Sequence, residues 1–232
     1  MKSLLKTPPL LSVIIPVYNE KNTILEILRR VRDVKIEKEI IIVDDSTDET
    51  REILKNIKDE NIQVIFNKKR LGKGAAVRKG FSLAKGDIVI IQDADMEYSP
   101  SDYHKLIQPI IEGKADVVFG SRVFSKGAKS NLRYYIGGKF LSFLASLLYN
   151  VRITDASTCY KVMKRDVLEK LSLRSSGFDL DFEIVAKVAK QGKKIYEVPI
   201  SYMPRPRKEG KKIKVRDGFK AVFTLLYYRF MS

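Results

Sequence analysis

Along the first half of the chain, continuous apolar runs alternate with stretches of helical periodicity. The runs are "LLSVIIPVYNE", "EIIIVDDS", "NIQVIFN", "DIVIIQDAD" and "ADVVFGSR". Unbroken apolar runs of this length suit strands buried on both faces of a parallel sheet. Segments beginning near Asn22, Asp48, Gly74 and Ser101 lie between them, each with apolar residues at helical spacing. Ser101 follows Pro100 and reads as the N-cap of the fourth helix. This strand–helix alternation predicts an α/β fold: a doubly wound, mostly parallel sheet with right-handed crossovers.

Beyond Arg122 the pattern changes. "VFSKGAKSNLRYY" is basic and turn-rich, and reads as a mobile loop. "IGGKFLSFLASLLYN" predicts a helix with a very wide apolar surface. "TDASTCYKVMKRDVLEKL" predicts a short strand leading into a helix, and "FDLDFEIVAKVAKQGK" an amphipathic helix with an acidic start. "KIYEVPISYMP" predicts a strand, followed by the basic tail "RPRKEGKKIKVRDG". A last helix has Phe219, Val222, Phe223, Leu226, Tyr227 and Phe230 on one face. One domain over 1–232 is expected, with a first half at 1–120, a second at 121–212 and a C-terminal basic and apolar helix at 213–232.

Composition narrows the class. With 232 residues, 44% hydrophobic and 31% charged, the chain is globular and large enough for a sizeable core. The single cysteine, Cys159, excludes an intramolecular disulfide framework, and the single histidine, His104, excludes His-rich metal sites and most triad chemistry. No signal pattern is visible, and no apolar stretch approaches the ~18 residues of a membrane span, so a cytoplasmic location is expected. Net charge is +16, and its distribution says more. Residues 1–120 carry 20 Lys and Arg against 19 Asp and Glu, whereas residues 121–232 carry 24 against 9. An excess confined to the second half points to an anionic partner: nucleic acid, phosphate groups or an anionic membrane surface.

Ligands of open α/β sheets sit outside the carboxyl ends of the strands, and three of the strands end in acids. In "QDADMEY", Asp93 and Asp95 could share a hard divalent cation, with Glu97 as a third oxygen donor. The same spacing also serves as a turn device at strand ends. In "VDDSTDET", Asp45 could accept hydrogen bonds from a nucleoside base or ribose, while Ser46, Thr47 or Asp48 caps the next helix. In "IPVYNE", Tyr18 could line a base pocket and Glu20 bind ribose or simply begin a helix. "RLGKGAAVRKG" lacks both the Walker A and the dinucleotide-binding spacings. It reads as a tight loop opening a helix whose Ala75 and Ala76 allow close packing. A nucleic-acid-binding module would explain the charge but not acidic strand ends, which repel phosphate unless a metal intervenes.

Taken in order, "SVIIPVYNE", "IIVDDSTDET", "GKGAAVRKG", "GDIVIIQDADMEYSP" and "FGSR" resemble the inverting GT-A glycosyltransferases of family 2, specifically the dolichyl- or polyprenyl-phosphate sugar synthases. The resemblance covers nearly the whole chain and makes 1–120 the nucleotide-sugar half and 121–212 the acceptor half. It implies a GT-A fold in which Pro16, Tyr18, Glu20, Val43 and Asp45 hold the nucleoside. It also implies that Asp93, Ala94 and Asp95 hold the diphosphate with Mg2+ or Mn2+, the Glu97 position being a further metal contact. That position often carries Gln in the family. Arg122 and Arg133 match basic positions that grip the lipid phosphate, and Arg205 and Arg207 resemble a segment reaching back to the donor diphosphate. Asp95, Arg122 and Arg133 would then carry the chemistry. A lipid phosphate is already a nucleophile and needs no strong base. A hydroxyl acceptor would need one, and Asp155, Asp179, Asp181 and Glu183 are the candidates. "TDASTCYK" and "FDLDFEI" depart from the mannose synthase pattern and leave donor and acceptor open. The apolar face within 140–149 and the final helix, beside basic segments, predict interface helices on an anionic leaflet. The expected setting is therefore peripheral, at the cytoplasmic face of a membrane, with a separate membrane-embedded partner possible and no nucleic acid.

Overall fold

The computed structural model describes residues 8–123, 132–205 and 215–231, excepting the side chains of residues 132, 133 and 215. The first half builds β1 (Leu11–Val17), α1 (Ile24–Asp33), β2 (Lys38–Asp44), α2 (Thr50–Lys55), β3 (Ile62–Phe66), α3 (Lys73–Phe81) and β4 (Ile88–Ile91). The second builds α4 (Tyr103–Ile111), β5 (Val117–Ser121), α5 (Leu132–Tyr149), β6 (Lys161–Lys164), α6 (Arg165–Glu169), α7 (Leu180–Lys190), β7 (Ile195–Pro199) and α8 (Val215–Phe230). Each expected run forms its strand, and burial accounts for most of them: β4 and β5 are buried throughout and β1 at all but Pro16, whereas β3, at the sheet edge, is only partly buried. In α1 the buried Ile24, Ile27, Leu28 and Val31 fall on one face, while Arg29 pairs with Glu26 and Asp33 on the other.

The seven strands lie in the order β3-β2-β1-β4-β6-β5-β7. β1 is parallel to β2 and β4, β2 to β3, and β5 to β7. The sheet is thus mostly parallel, but β6 inserts antiparallel between β4 and β5. Its reversal brings the segment that enters it, residues 154–160, to the edge where β4 and β5 end. α3 packs on β1 and β2, and α4 on β5 and β6. Gly80 of α3 lies so close to β1 that a Cβ there would stand 2.3 Å from Ile14 Cγ2.

One expectation changes. Ser101 does not cap α4: Pro100–Asp102 form a 3-10 turn, and α4 follows with Asp102 at its N-cap. The Asp102 carboxylate accepts the Ser201 N–H at 2.6 Å, tying the exit of β7 to the start of α4. The face of α8 picked out by Phe219, Phe223, Leu226 and Phe230 does not enter the core. Those residues are exposed, and Ala221, Leu225 and Tyr228 turn inward instead. α8 packs against α5 and α7, and Tyr149 donates to the Leu225 carbonyl at 2.7 Å. α5 also shows an exposed stripe, Ile136, Phe140, Phe143 and Leu147. Among the described residues, no helix is long and apolar enough to cross a membrane. The basic loop expected after Val123 and most of the basic tail lie outside the described residues.

Candidate active site

The loop leaving β4 is held from beneath by a buried polar cluster. Gln92 is fully buried, and its Oε1 accepts the hydroxyls of Tyr103 at 2.8 Å and Tyr160 at 2.7 Å. Its Nε2 donates to the Asp93 carbonyl at 2.9 Å. Tyr98 packs against Tyr160 and Tyr202 with ring centres 5.0 and 5.4 Å apart. Such a satisfied network fixes a loop more firmly than separate contacts would. Above it, Asp95 accepts the Glu97 N–H at 3.1 Å across Met96, whose φ of 66° lies in the left-handed region.

The acids of this loop are held by different partners. Asp93 pairs with Lys73, the first residue of α3, at 2.7 Å. Burial works against the Lys73 charge, but Asp93 and the nearby Asp181 outweigh it and hold the ammonium well above its ordinary range. Glu97 accepts the Tyr202 hydroxyl at 2.9 Å and the Arg205 N–H at 2.8 Å. Its carbonyl takes the Met203 N–H at 2.9 Å. Glu97 thereby clamps segment 202–205 over the loop. Arg205 donates from Nε to the Asp95 carbonyl at 2.9 Å and pairs with Glu20, itself nearly buried. Asp95 is pushed up to about 7, first by burial and then by the charges of Asp93 and Glu97, with Arg205 pulling the other way.

Asp93, Asp95 and Glu97 were expected to gather around one metal. Among the described residues, no three His, Cys or acidic side chains converge in that way. The donor chemistry still fits a hard divalent cation at Asp93 and Asp95. Among the described residues, the carboxylates of Glu20, Asp93, Asp95 and Glu97 gather around Lys73 and Arg205, and such hard oxygen donors suit a divalent ion.

At the nucleoside end, Pro16 of β1 lies opposite Val43 of β2. Val43 is fully buried and Ala94 nearly so, which leaves them as wall and backbone rather than side-chain contacts. Asn19, with φ 53°, links the ends of β1 and β2. Its N–H donates to Ser46 Oγ and its Oδ1 accepts the Thr47 N–H, both at 2.9 Å. Asp45 was expected to face a base or ribose. Its carboxylate accepts Asn67 Nδ2 at 2.7 Å and the N–H groups of Leu71 and Gly72 at 2.9 Å, folding loop 67–72 over the strand ends. That loop sets the Arg70 guanidinium 3.9 Å from the centre of the Tyr18 ring.

On the acceptor side, Arg122 follows β5 and grips Asp155 with Nε and Nη2, both at 2.7 Å. Its backbone N–H donates to Asp155 Oδ2 at 3.1 Å, and Nη2 also reaches Ser157 Oγ at 2.8 Å. Burial pulls the Asp155 pKa upward, but Arg122 outweighs it and holds the carboxyl below its ordinary range. Asp155 is therefore the counter-ion of Arg122 and not a base in waiting. Asp181 pairs with the buried Lys161 at 2.7 Å. Glu183 accepts Lys187, Tyr228 and the N–H groups of Arg174 and Ser175. Of the four candidate bases, only the half-buried Asp179 has a carboxylate with no hydrogen-bond or ion-pair partner among the described residues, although its carbonyl accepts the N–H groups of Phe182 and Glu183. The Arg133 side chain and all of Arg207 lie outside the described residues.

The profile of the family described as glycosyl transferase family 2 matches residues 12–172. The chain belongs to this family. A dolichol-phosphate mannosyltransferase of Pyrococcus furiosus is 32% identical over 212 residues, covering 86% of this chain and 58% of the relative. Glycosyltransferase AglJ of Haloferax volcanii is 30% identical, covering 96% of this chain and 73% of the relative. The low-salt glycan biosynthesis hexosyltransferase Agl6 of the same organism is 29% identical, and this chain spans only 48% of its length. Among solved structures, glucosyl-3-phosphoglycerate synthase of Mycobacterium tuberculosis, in complex with Mn2+, UDP and phosphoglyceric acid, superposes with a TM-score of 0.71. At 21% identity, over 98% of this chain and 81% of that one, the likeness establishes the shared fold. Within this family 2 fold, sequence reasoning overlooked Lys73, Gln92, Arg70 and Tyr202. Lys73 has a signal, a lysine at the helix-opening "GKG", but the segment matches no phosphate-loop spacing and reads only as a tight loop opening a helix.

Proposed function

We propose that this chain transfers a hexose from a nucleoside-diphosphate sugar to a dolichyl or polyprenyl phosphate, working peripherally at the cytoplasmic face of a membrane. The observation that carries the lipid acceptor is the pair of exposed apolar stripes on α5 and α8, since so much exposed apolar surface marks an interaction site. The excess of basic residues in the second half favours an anionic acceptor and an anionic leaflet.

In this reading a phosphate oxygen attacks the sugar C1, the C1–diphosphate bond breaks, and the anomeric centre inverts. The acceptor arrives as an anion, so no proton has to be removed. The chain's task is alignment and stabilisation of the leaving diphosphate. Lys73 and Arg205 supply positive charge for the leaving group, and Arg122, with Arg133 and Arg207, for the acceptor and diphosphate. Mg2+ or Mn2+ held by Asp93 and Asp95 would add charge neutralisation at the diphosphate. Pro16, Tyr18, Glu20 and the Asp45 loop would enclose the nucleoside.

The unpartnered carboxylate of Asp179 favours one second reading, transfer to a hydroxyl with that carboxylate as base. One experiment separates the two. The full chain is incubated with labelled GDP-mannose or UDP-glucose and Mn2+, with vesicles containing polyprenyl phosphate or with a phosphorylated small hydroxyl acceptor. Lipid-extractable product that disappears in Asp95→Ala and survives in Asp179→Asn supports the first reading. Product only on the hydroxyl acceptor, lost in Asp179→Asn, replaces it with the second.

A further inference from the structure

The Asp93 carboxylate that suits a divalent ion is already engaged by Lys73. Nζ lies 2.7 Å from Oδ1 and 3.0 Å from Oδ2, so one ammonium reaches both oxygens. Mg2+ sits about 2.1 Å from its oxygen ligands. Any such ion on Asp93 would therefore lie within about 5 Å of the ammonium. The two side chains are mostly buried, at 20% and 18% exposure, so water does little to screen the repulsion between the cations. Lys73 and a divalent ion thus compete for Asp93.

The backbone around the pair is held, while the tip of Lys73 is free to turn. Gly72 and Gly74 lie tight against segment 175–177. A Cβ on Gly72 would stand 2.5 Å from the Ser176 carbonyl oxygen, and one on Gly74 2.7 Å from that of Gly177. The Ala75 N–H donates to the Ser176 carbonyl at 3.2 Å, and Arg78 donates to that of Arg174. On the other side, Gln92 fixes the Asp93 carbonyl. What is left to Lys73 is rotation along its flexible four-carbon stem. Asp181 lies close enough to favour the ammonium, so a Lys73 released from Asp93 keeps a negative neighbour. A nucleoside diphosphate brings several negative charges against the single one of Asp93, and can draw the ammonium off.

We propose that Lys73 is an exchangeable counter-ion: it holds Asp93 until the donor arrives, then passes to the donor's diphosphate and frees Asp93 for the divalent ion. This rests on the donor-site reading above and adds an order of filling to it. The test is Mn2+ binding by the full chain, read from the electron paramagnetic resonance signal of the free ion, in the wild type, Lys73→Met, Asp93→Asn and the double variant. Calorimetric titration with GDP and with UDP, each with and without Mn2+, accompanies it. Lys73→Met should bind Mn2+ without nucleotide about tenfold or more tightly than the wild type, the scale on which one neighbouring charge shifts an ionic equilibrium. In the Asp93→Asn background the same substitution should change Mn2+ affinity by less than about threefold, because no carboxylate is then released. Metal-free nucleotide binding should weaken severalfold in Lys73→Met. Where Lys73→Met does not fold, Lys73→Gln, which keeps a donor for Asp93 without the charge, takes its place in both backgrounds. The proposal is overturned if removing the lysine leaves Mn2+ binding no tighter, or if the gain is as large with Asp93→Asn, which would make it action at a distance on Asp95. Metal-free nucleotide binding that is absent in the wild type, or unchanged by the substitution, overturns it too. If the wild type binds neither nucleotide even with Mn2+, the donor-site reading itself fails and the exchange with it, a result distinct from the others.

Discussion

Substituting Asp155 by Ala should be among the most damaging single changes near the site. The substitution removes three hydrogen bonds to Arg122, two of them charge-assisted at 2.7 Å. It leaves the guanidinium without its counter-ion, at a side-chain exposure of 24%. Breaking a buried pair from one side costs about 3–5 kcal/mol, chiefly because the remaining charge is stranded. Water reaching a quarter of the Arg122 surface relieves some of that, so about 3 kcal/mol is expected. Urea unfolding followed by circular dichroism would show it as a lower midpoint with little change in slope. The double variant Arg122→Met/Asp155→Leu strands no charge and should recover much of the loss, with a coupling of about 2 kcal/mol or more between the two positions. A loss below about 1 kcal/mol in Asp155→Ala, or strictly additive costs in the double variant, would refute the reasoning.

The same pair sets an acid dependence. A carboxylate held below its ordinary range in the folded state contributes stability above its unfolded pKa and loses it as pH falls through the folded value. Stability should therefore decline below about pH 4, and Asp155→Asn should show a shallower decline in urea midpoints between about pH 5 and pH 3. Gly80→Ala places a Cβ 2.3 Å from Ile14 Cγ2 and should cost about 1–3 kcal/mol by overpacking. Adding Ile14→Val should return part of that in the same melts, and no recovery would argue that the strain lies elsewhere. Tyr202→Phe removes the hydroxyl bond to Glu97 and should loosen segment 202–205 by about 1 kcal/mol. Amide hydrogen exchange at Met203 and Arg205, whose N–H groups are held by Glu97, should then be faster than in the wild type, and unchanged rates would show that the backbone bonds alone hold the clamp. Phe140→Ser/Phe223→Ser should leave the melting temperature nearly unchanged, because both rings are exposed, yet reduce co-sedimentation with anionic vesicles.

What the sequence made legible was mostly local. An apolar run such as Ile88–Ile91 has one stable placement, a strand buried on both faces, and the acid after it has one exit, the carboxyl edge. The five runs therefore led to five strands, and Asp45, Asp93 and Asp95 to one side of the sheet. Contacts between distant segments were not legible in this way. β6 is four residues, with lysines at both ends, and nothing in "KVMK" says that Lys161 is buried on Asp181 or that the strand runs backwards between β4 and β5. Asp155 and Asp181 read as free acids because their partners, Arg122 and Lys161, lie 33 and 20 positions away. Helical periodicity located α8 but could not say which side it would bury. Its aromatic stripe was the stronger signal, and the smaller inward face was settled by α5 and α7.

The reversed strand also has a consequence for synthesis. β4 is complete at Ile91 and β5 at Ser121, but the strand that pairs with both is not made until Lys164. At about 5–20 residues per second, the roughly 70 residues from β4 to β6 take several seconds to translate. Through that interval the middle of the nascent sheet has a gap, flanked by two strand edges with unpaired backbone groups. A chain interrupted there would present an open apolar edge of the kind that templates aggregation. Burial of Lys161 among its partners would then be the step that closes the gap and commits the two halves to one another.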